Sequence, residues 1–99
     1  MNAEILEVVV KAVAELAKEA GFPQLLKPSE STPLFGGEDG IDSLSLVRLV
    51  ADIEREAEAR FGVQVVLADE RAMSRRNSPF RTVATLGELL QERIGESRG

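Results

Sequence analysis

Apolar residues recur every three or four positions across residues 3–20. Ile5, Val9, Val13, Leu16 and Ala20 share one face, and Glu4, Glu7, Lys11, Glu15, Lys18 and Glu19 fill the other. This spacing predicts an amphipathic helix. Gly21 followed by Pro23 predicts its end, because glycine accepts a left-handed terminal turn and proline cannot continue a helix. The same period returns over 43–61, with Leu46, Val50, Ile53, Ala57 and Phe61 inward and Arg48, Asp52, Arg55, Glu56 and Glu58 toward water. Asp42 or Ser43 can cap this second helix through a side-chain oxygen that accepts from the free amides of the first turn. Gly62 closes it. A last helix is predicted after Thr82, burying Val83, Leu86, Leu89, Leu90 and Ile94.

The segments between are different in kind. Pro23, Pro28 and Pro33, with Gly36, Gly37 and Gly40, interrupt residues 22–41, while Leu25, Leu26, Leu34, Phe35 and Ile41 offer anchors. A loop this long in a small domain is unusual, and these anchors predict that it crosses the domain pinned to the core. Val63-Gln64-Val65-Val66-Leu67 has strand-like β-branched content between helical neighbours. Ala68 to Arg75 predict a short helix with Asp69 near its start, and residues 76–81 a loop. Together these elements predict an all-α fold: a four-helix bundle of three long helices and one short, with a long loop between helices 1 and 2, in a single domain over 1–99.

Composition narrows the chemistry. A chain of 99 residues suits one core, and its only aromatics are four Phe, so the core must be Leu, Val, Ile and Ala. The absence of Cys excludes disulfides, thiolate metal sites and a cysteine nucleophile. The absence of His removes the commonest general base and metal ligand. An enzyme is therefore not expected, nor a metal site: Asp39 and Asp42 are two carboxylates on a loop without a third ligand. The net charge of −5 resides in residues 1–42, which hold every Lys, whereas 43–99 balance nine acids with nine Arg. Such a domain has no electrostatic footprint for nucleic acid or an anionic membrane. No apolar run is long enough for membrane insertion, and no basic-then-apolar leader opens the sequence. A cytoplasmic monomer is expected.

One place carries distinctive local chemistry. Gly40-Ile41-Asp42-Ser43-Leu44 sets a hydroxyl in the first turn of a helix, directly after a glycine-rich loop. The unpaired amides and positive end of that helix favour a phosphate esterified to the hydroxyl. Without a histidine to activate it, Ser43 reads as the substrate of another enzyme; helix capping is its simpler role. Leu44 lies out of phase with the Leu46–Val50–Ile53 stripe, which predicts exposure. In this setting the chain resembles acyl carrier proteins. The resemblance rests on Asp42-Ser43-Leu44 followed by Val47, Leu49 and Val50, on the long loop with Leu34-Phe35 before it, and on Thr82-Val83 opening the last helix. It covers about residues 5–94 and extends to the carrier modules of polyketide and peptide assembly lines.

The resemblance implies that a magnesium-dependent phosphopantetheinyl transferase attaches 4′-phosphopantetheine from coenzyme A to Ser43. The arm's thiol would hold acyl groups as thioesters for acyl-loading and acyl-processing enzymes. Asp42 would help the transferase recognise the site. Leu44 would dock on partners, with Val47, Arg48 and Ala51 completing the docking face. An apolar acyl pocket is expected where Val50, Ile53 and Ala57 face Val65, Leu67 and Met73, since the weakly helical 63–74 segment should move outward at small cost. Three features depart from the pattern of fatty-acid carriers, one being that the 43–61 helix runs longer than usual before Gly62. Ser45 and Arg48 stand where acidic residues are usual, and 74–81 resembles an insertion carrying Arg75, Arg76 and Arg81, readable as a solvated loop or a binding patch. These departures point to a specialised lipid or polyketide-like pathway rather than housekeeping fatty-acid synthesis. The alternatives are an aminoacyl or peptidyl carrier and an unmodified helical interaction module.

Overall fold

Four helices form in chain order in the computed structural model, which describes residues 2–36 and 40–98. Helix α1 spans Ala3–Ala20, α2 Ser43–Phe61, α3 Glu70–Met73 and α4 Val83–Arg98, with a 3₁₀ turn at Pro23–Leu25. Among the described residues there is no β-strand, only an isolated antiparallel bridge between Pro33 and Thr82. The β-branched run 63–67 stays irregular: Val65 and Leu67 turn inward and Gln64 and Val66 outward, but no second strand lies alongside to accept a ladder. No helix among the described residues is long and apolar enough to cross a membrane.

Each long helix starts or stops where its local chemistry dictates. The Asn2 side chain accepts the Glu4 amide at 2.7 Å to open α1. Gly21, at φ +79°, ends it, with the Gly21 and Phe22 amides both donating to the Ala17 carbonyl. Gly62, at φ +67°, ends α2 in the same way, its amide donating to the Glu58 carbonyl at 3.0 Å. At the start of α4, Thr82 and Thr85 bond reciprocally: the Thr82 hydroxyl oxygen accepts the Thr85 amide at 3.1 Å, and the Thr85 hydroxyl oxygen accepts the Thr82 amide at 3.0 Å.

Helix α1 packs against both α2 and α4. Its Val8, Val9, Val13 and Leu16 meet Leu49 and Ile53 of α2 and Leu86, Leu89 and Leu90 of α4 in one buried cluster. The inward stripes differ in detail from the simple periodic reading. Ala20 is exposed at the last turn of α1. In α2, Leu49 is fully buried with Ile53 and Ala57, while Leu46 and Phe61 are half-buried, so the helix is rotated toward the face carrying Leu49.

The long loop is fastened to the start of α4. The Leu34 amide donates to the Arg81 carbonyl at 2.6 Å and the Phe35 amide to the Phe80 carbonyl at 3.1 Å. In return, the Val83 and Ala84 amides, left without intrahelical acceptors, donate to the carbonyls of Thr32 and Glu30 at 3.1 and 2.8 Å. Leu25, Leu34 and Ile41 anchor the loop in the core, and the Ile41 amide donates back to the Leu34 carbonyl at 2.8 Å. These bonds hold residues 30–35 against the start of α4 and set Ile41 beside Leu34, one residue before Asp42.

Candidate functional site

Asp42 caps α2: its carboxylate accepts the Ser45 amide at 3.1 Å and its carbonyl the Leu46 amide at 3.0 Å. Hydrogen bonds from Ser45, first from its side chain and then from its amide, hold the Asp42 carboxyl below the usual carboxylate range. Asp42 is thus the cap, which leaves Ser43 free of that duty. Ser43 is the first residue of the helix and is exposed, and no group among the described residues hydrogen-bonds its hydroxyl. Asp39, the other carboxylate of this region, lies outside the described residues. Among the described residues no three acidic side chains gather where a metal could be held.

Ser43 opens on an apolar groove of about 340 Å³. Leu46, Val47 and Val50 of α2 form one wall, Ala68 and Met73 around α3 the other, and Phe35 and Phe80 close it from the two tied loops. Among the described residues, Ser43 and Ser78 supply its hydroxyls. Of the six residues expected to wall an acyl pocket, Val50 and Met73 line this groove. Ile53, Ala57, Val65 and Leu67 do not; they are buried in the packed core. Val50 and Phe80 belong to that buried cluster and also line the groove. Leu44 is 78% exposed and Val47 65% exposed, with Arg48 and Ala51 also at the surface of the same helix. Arg48 pairs with Glu19 of α1, so part of its charge is already matched within the chain.

The wall opposite α2 is held more firmly than its composition suggests. Arg93 of α4 is only 5% exposed, and its guanidinium forks onto the carboxylate of Asp69 while donating to the Val66 carbonyl at 3.0 Å. Asp69 in turn caps α3 by accepting the Ala72 amide at 3.0 Å. Arg71 donates to both oxygens of Glu96, at 3.2 and 2.9 Å. On the other side, the Leu67 amide donates to the Glu54 carboxylate at 2.8 Å. Residues 66–71 are therefore tied by hydrogen bonds to both α2 and α4. The Arg93 hydrogen bonds, then the Ala72 amide, pull the Asp69 carboxyl down to about 2. The Nε of Arg93 is buried without a hydrogen-bond partner; Glu92 and Glu96 lie at 3.7 and 3.9 Å.

Periodicity alone contained a signal for Arg93. It follows Leu89 by four residues and Leu90 by three, so it stands on the apolar stripe of α4. A cation at such a position requires a buried acceptor, and Asp69 is the acid that meets it. The chain matches no protein-family model, no curated protein and no solved structure.

Proposed function

We propose that this protein is a carrier whose Ser43 holds a 4′-phosphopantetheine arm, and that it presents acyl groups on that arm to other enzymes as their substrate, not as a catalyst. The observation that carries the reading is the setting of Ser43. It is an exposed hydroxyl without a hydrogen-bond partner among the described residues, in the first turn of a 19-residue helix, at the mouth of an apolar groove. An all-helical chain with a long, anchored loop between its first two long helices agrees with the resemblance to acyl carrier proteins.

The residues fit a phosphodiester on Ser43. The oxygen is reachable, the first-turn amides favour negative charge, and Asp42, the one acid adjoining Ser43, has its carboxylate turned to the Ser45 amide. When bound, the arm supplies the thiol that a chain without cysteine lacks, and carries acyl groups as thioesters. Asp42 keeps the helix start in register, so that Ser43 meets a phosphopantetheinyl transferase in one geometry. Leu44 and Val47, with Arg48 and Ala51, form the face on which the transferase and the loading and processing enzymes dock. The groove shelters the near part of an apolar chain, each buried methylene contributing about 0.8 kcal/mol. Arg48 and Ser45 on the docking face favour a specialised lipid or polyketide-like pathway.

The exposure of Leu44 and Val47 also supports a second reading, an unmodified helical interaction module. One assay separates them: intact mass after incubation with coenzyme A, magnesium and a promiscuous phosphopantetheinyl transferase. The carrier reading expects one phosphopantetheine on the wild type and none on Ser43→Ala, although the chain has seven serines. An unmodified wild type, or a modified Ser43→Ala, refutes it.

A further inference from the structure

The groove beside Ser43 has apolar side chains on both walls, and some of them face water. Val47 on α2 is 65% exposed and Met73 on α3 is 66% exposed, and both line it. Bringing such side chains together removes apolar surface from water, so two unrestrained walls would close on each other. The α2 wall is fixed, because α2 packs against α1. The α3 wall has little apolar hold: from residue 68 to 78 only Ala72 is buried. A helix of four residues has no stability of its own.

What holds α3 is a row of charged side chains on α4, none of which lines the groove. Arg75 pairs with Glu92 at 2.5 Å, Arg71 with Glu96 at 2.9 Å, and Asp69 with Arg93. The first two pairs are solvent-exposed and contribute little one by one. Arg93 differs, being only 5% exposed. Its guanidinium forks onto Asp69, the cap of α3, and also donates to the Val66 carbonyl. One buried side chain thus fixes both the chain entering α3 and the first turn itself. Toward α2, the Leu67 amide on the Glu54 carboxylate holds the segment before α3 begins.

We propose that Arg93 is the positioning residue that props the Ser43 groove open: by drawing α3 to α4 through Asp69 and Val66, it keeps Ala68 and Met73 from collapsing onto Val47 and Val50. The groove is then a preformed cleft, which an apolar chain enters without first parting the walls. That the chain is an acyl group on Ser43 rests on the carrier reading, whereas the propping is a property of the unmodified protein. Stability alone gives no reason for the buried pair, since apolar residues of similar volume often serve as well. The planar fork adds a fixed spacing between α3 and α4, which a purely apolar contact does not.

The test titrates the isotope-labelled, unmodified full chain with 1-octanol, a neutral apolar probe, and compares it with Asp69→Asn/Arg93→Met by NMR. The asparagine keeps a capping oxygen for α3 and the methionine replaces the arginine stem, so no lone charge is left buried. In the wild type, octanol is expected to shift the amides of 46–50, 68 and 73. The double variant should bind it about tenfold or more weakly, because apparent affinity falls with the fraction of molecules whose groove is open. Without octanol, the variant's Met73 and Val47 methyl groups should show closer contact than those of the wild type, a signature that lost stability alone does not produce. Arg93→Lys keeps a charge for Asp69 but not the fork, and should fall between the two; it serves as the test should the double variant fail to melt cooperatively. Unchanged or tighter binding in these variants, Met73 and Val47 no closer together, or no groove shifts in the wild type overturns the proposal. Intact-mass modification of Ser43 is a separate readout, so failure of the prop and failure of the carrier reading remain distinguishable.

Discussion

Replacing Leu34 with alanine tests whether the long loop is part of the cooperative core. Leu34 is fully buried, while Leu26 of the same loop is 45% exposed. The identical substitution at the two positions therefore differs mainly in burial. At Leu34 the lost transfer energy is about 2 kcal/mol. The cavity left among Leu34's neighbours raises the total to about 2.7–5 kcal/mol, because packed surroundings relax only in part. At Leu26 the loss should stay below about 1 kcal/mol. Against a total stability of about 5–15 kcal/mol for a domain of this size, Leu34→Ala should lower the melting temperature by about 10–25 °C. Urea unfolding is the assay, with an unchanged slope and a midpoint lower by about 1–3 M as the expected result. Equal losses at the two positions, or a loss at Leu34 below about 1 kcal/mol, would refute the claim that this loop is pinned from within.

Three further outcomes follow from the geometry. The Asp69 carboxyl is depressed from 3.8 to about 2 by Arg93, so its contribution is complete above its unfolded value and is lost as pH falls through the folded one; the melting-temperature advantage of wild type over Asp69→Asn should shrink between about pH 4 and 2, and a constant difference would contradict the assignment. Thr82→Ala removes one half of the reciprocal cap on α4 and should cost about 1 kcal/mol in urea unfolding, with no measurable change counting against the cap. Leu44→Asp, at a residue 78% exposed, should change stability by no more than about 0.5 kcal/mol yet slow transferase modification of Ser43 by about tenfold or more; an unchanged rate would remove Leu44 from the docking face.

The elements that were legible in the sequence are those set by local rules. Helices α1, α2 and α4 follow from a 3.6-residue apolar period and from end signals at Gly21, Gly62 and Thr82. Ser43 was legible for the same reason, because a hydroxyl beside a capping acid at a helix start is a local pattern. What escaped depends on contacts between distant segments. Val63 to Leu67 have the composition and alternating burial of a strand, but a strand also needs a partner, and the helices leave none beside it. Leu49 rather than Leu46 takes the fully buried place because the rotation of α2 is set by packing against α1. Of the six residues expected to wall an acyl pocket, only Val50 and Met73 border the groove, for the same reason. Ile53, Ala57 and Leu67 do face inward, but the close-packed core already fills the space in front of them.

The bonds joining Glu30, Thr32, Leu34 and Phe35 to residues 80–84 have a consequence for timing. The two sets of residues are almost half the chain apart. Translation proceeds from the N-terminus at roughly 5–20 residues per second, so Ser43 has been synthesised well before the residues that anchor its approach loop. Contacts of such long sequence separation form late, since the intervening chain must first lose its freedom. A growing chain thus exposes Ser43 in a segment that has not yet been ordered, and the presentation of its hydroxyl is completed only when α4 docks. Helix α4 contributes no residue to the groove, yet its first turn must be in place before the loop that leads to Ser43 is fastened.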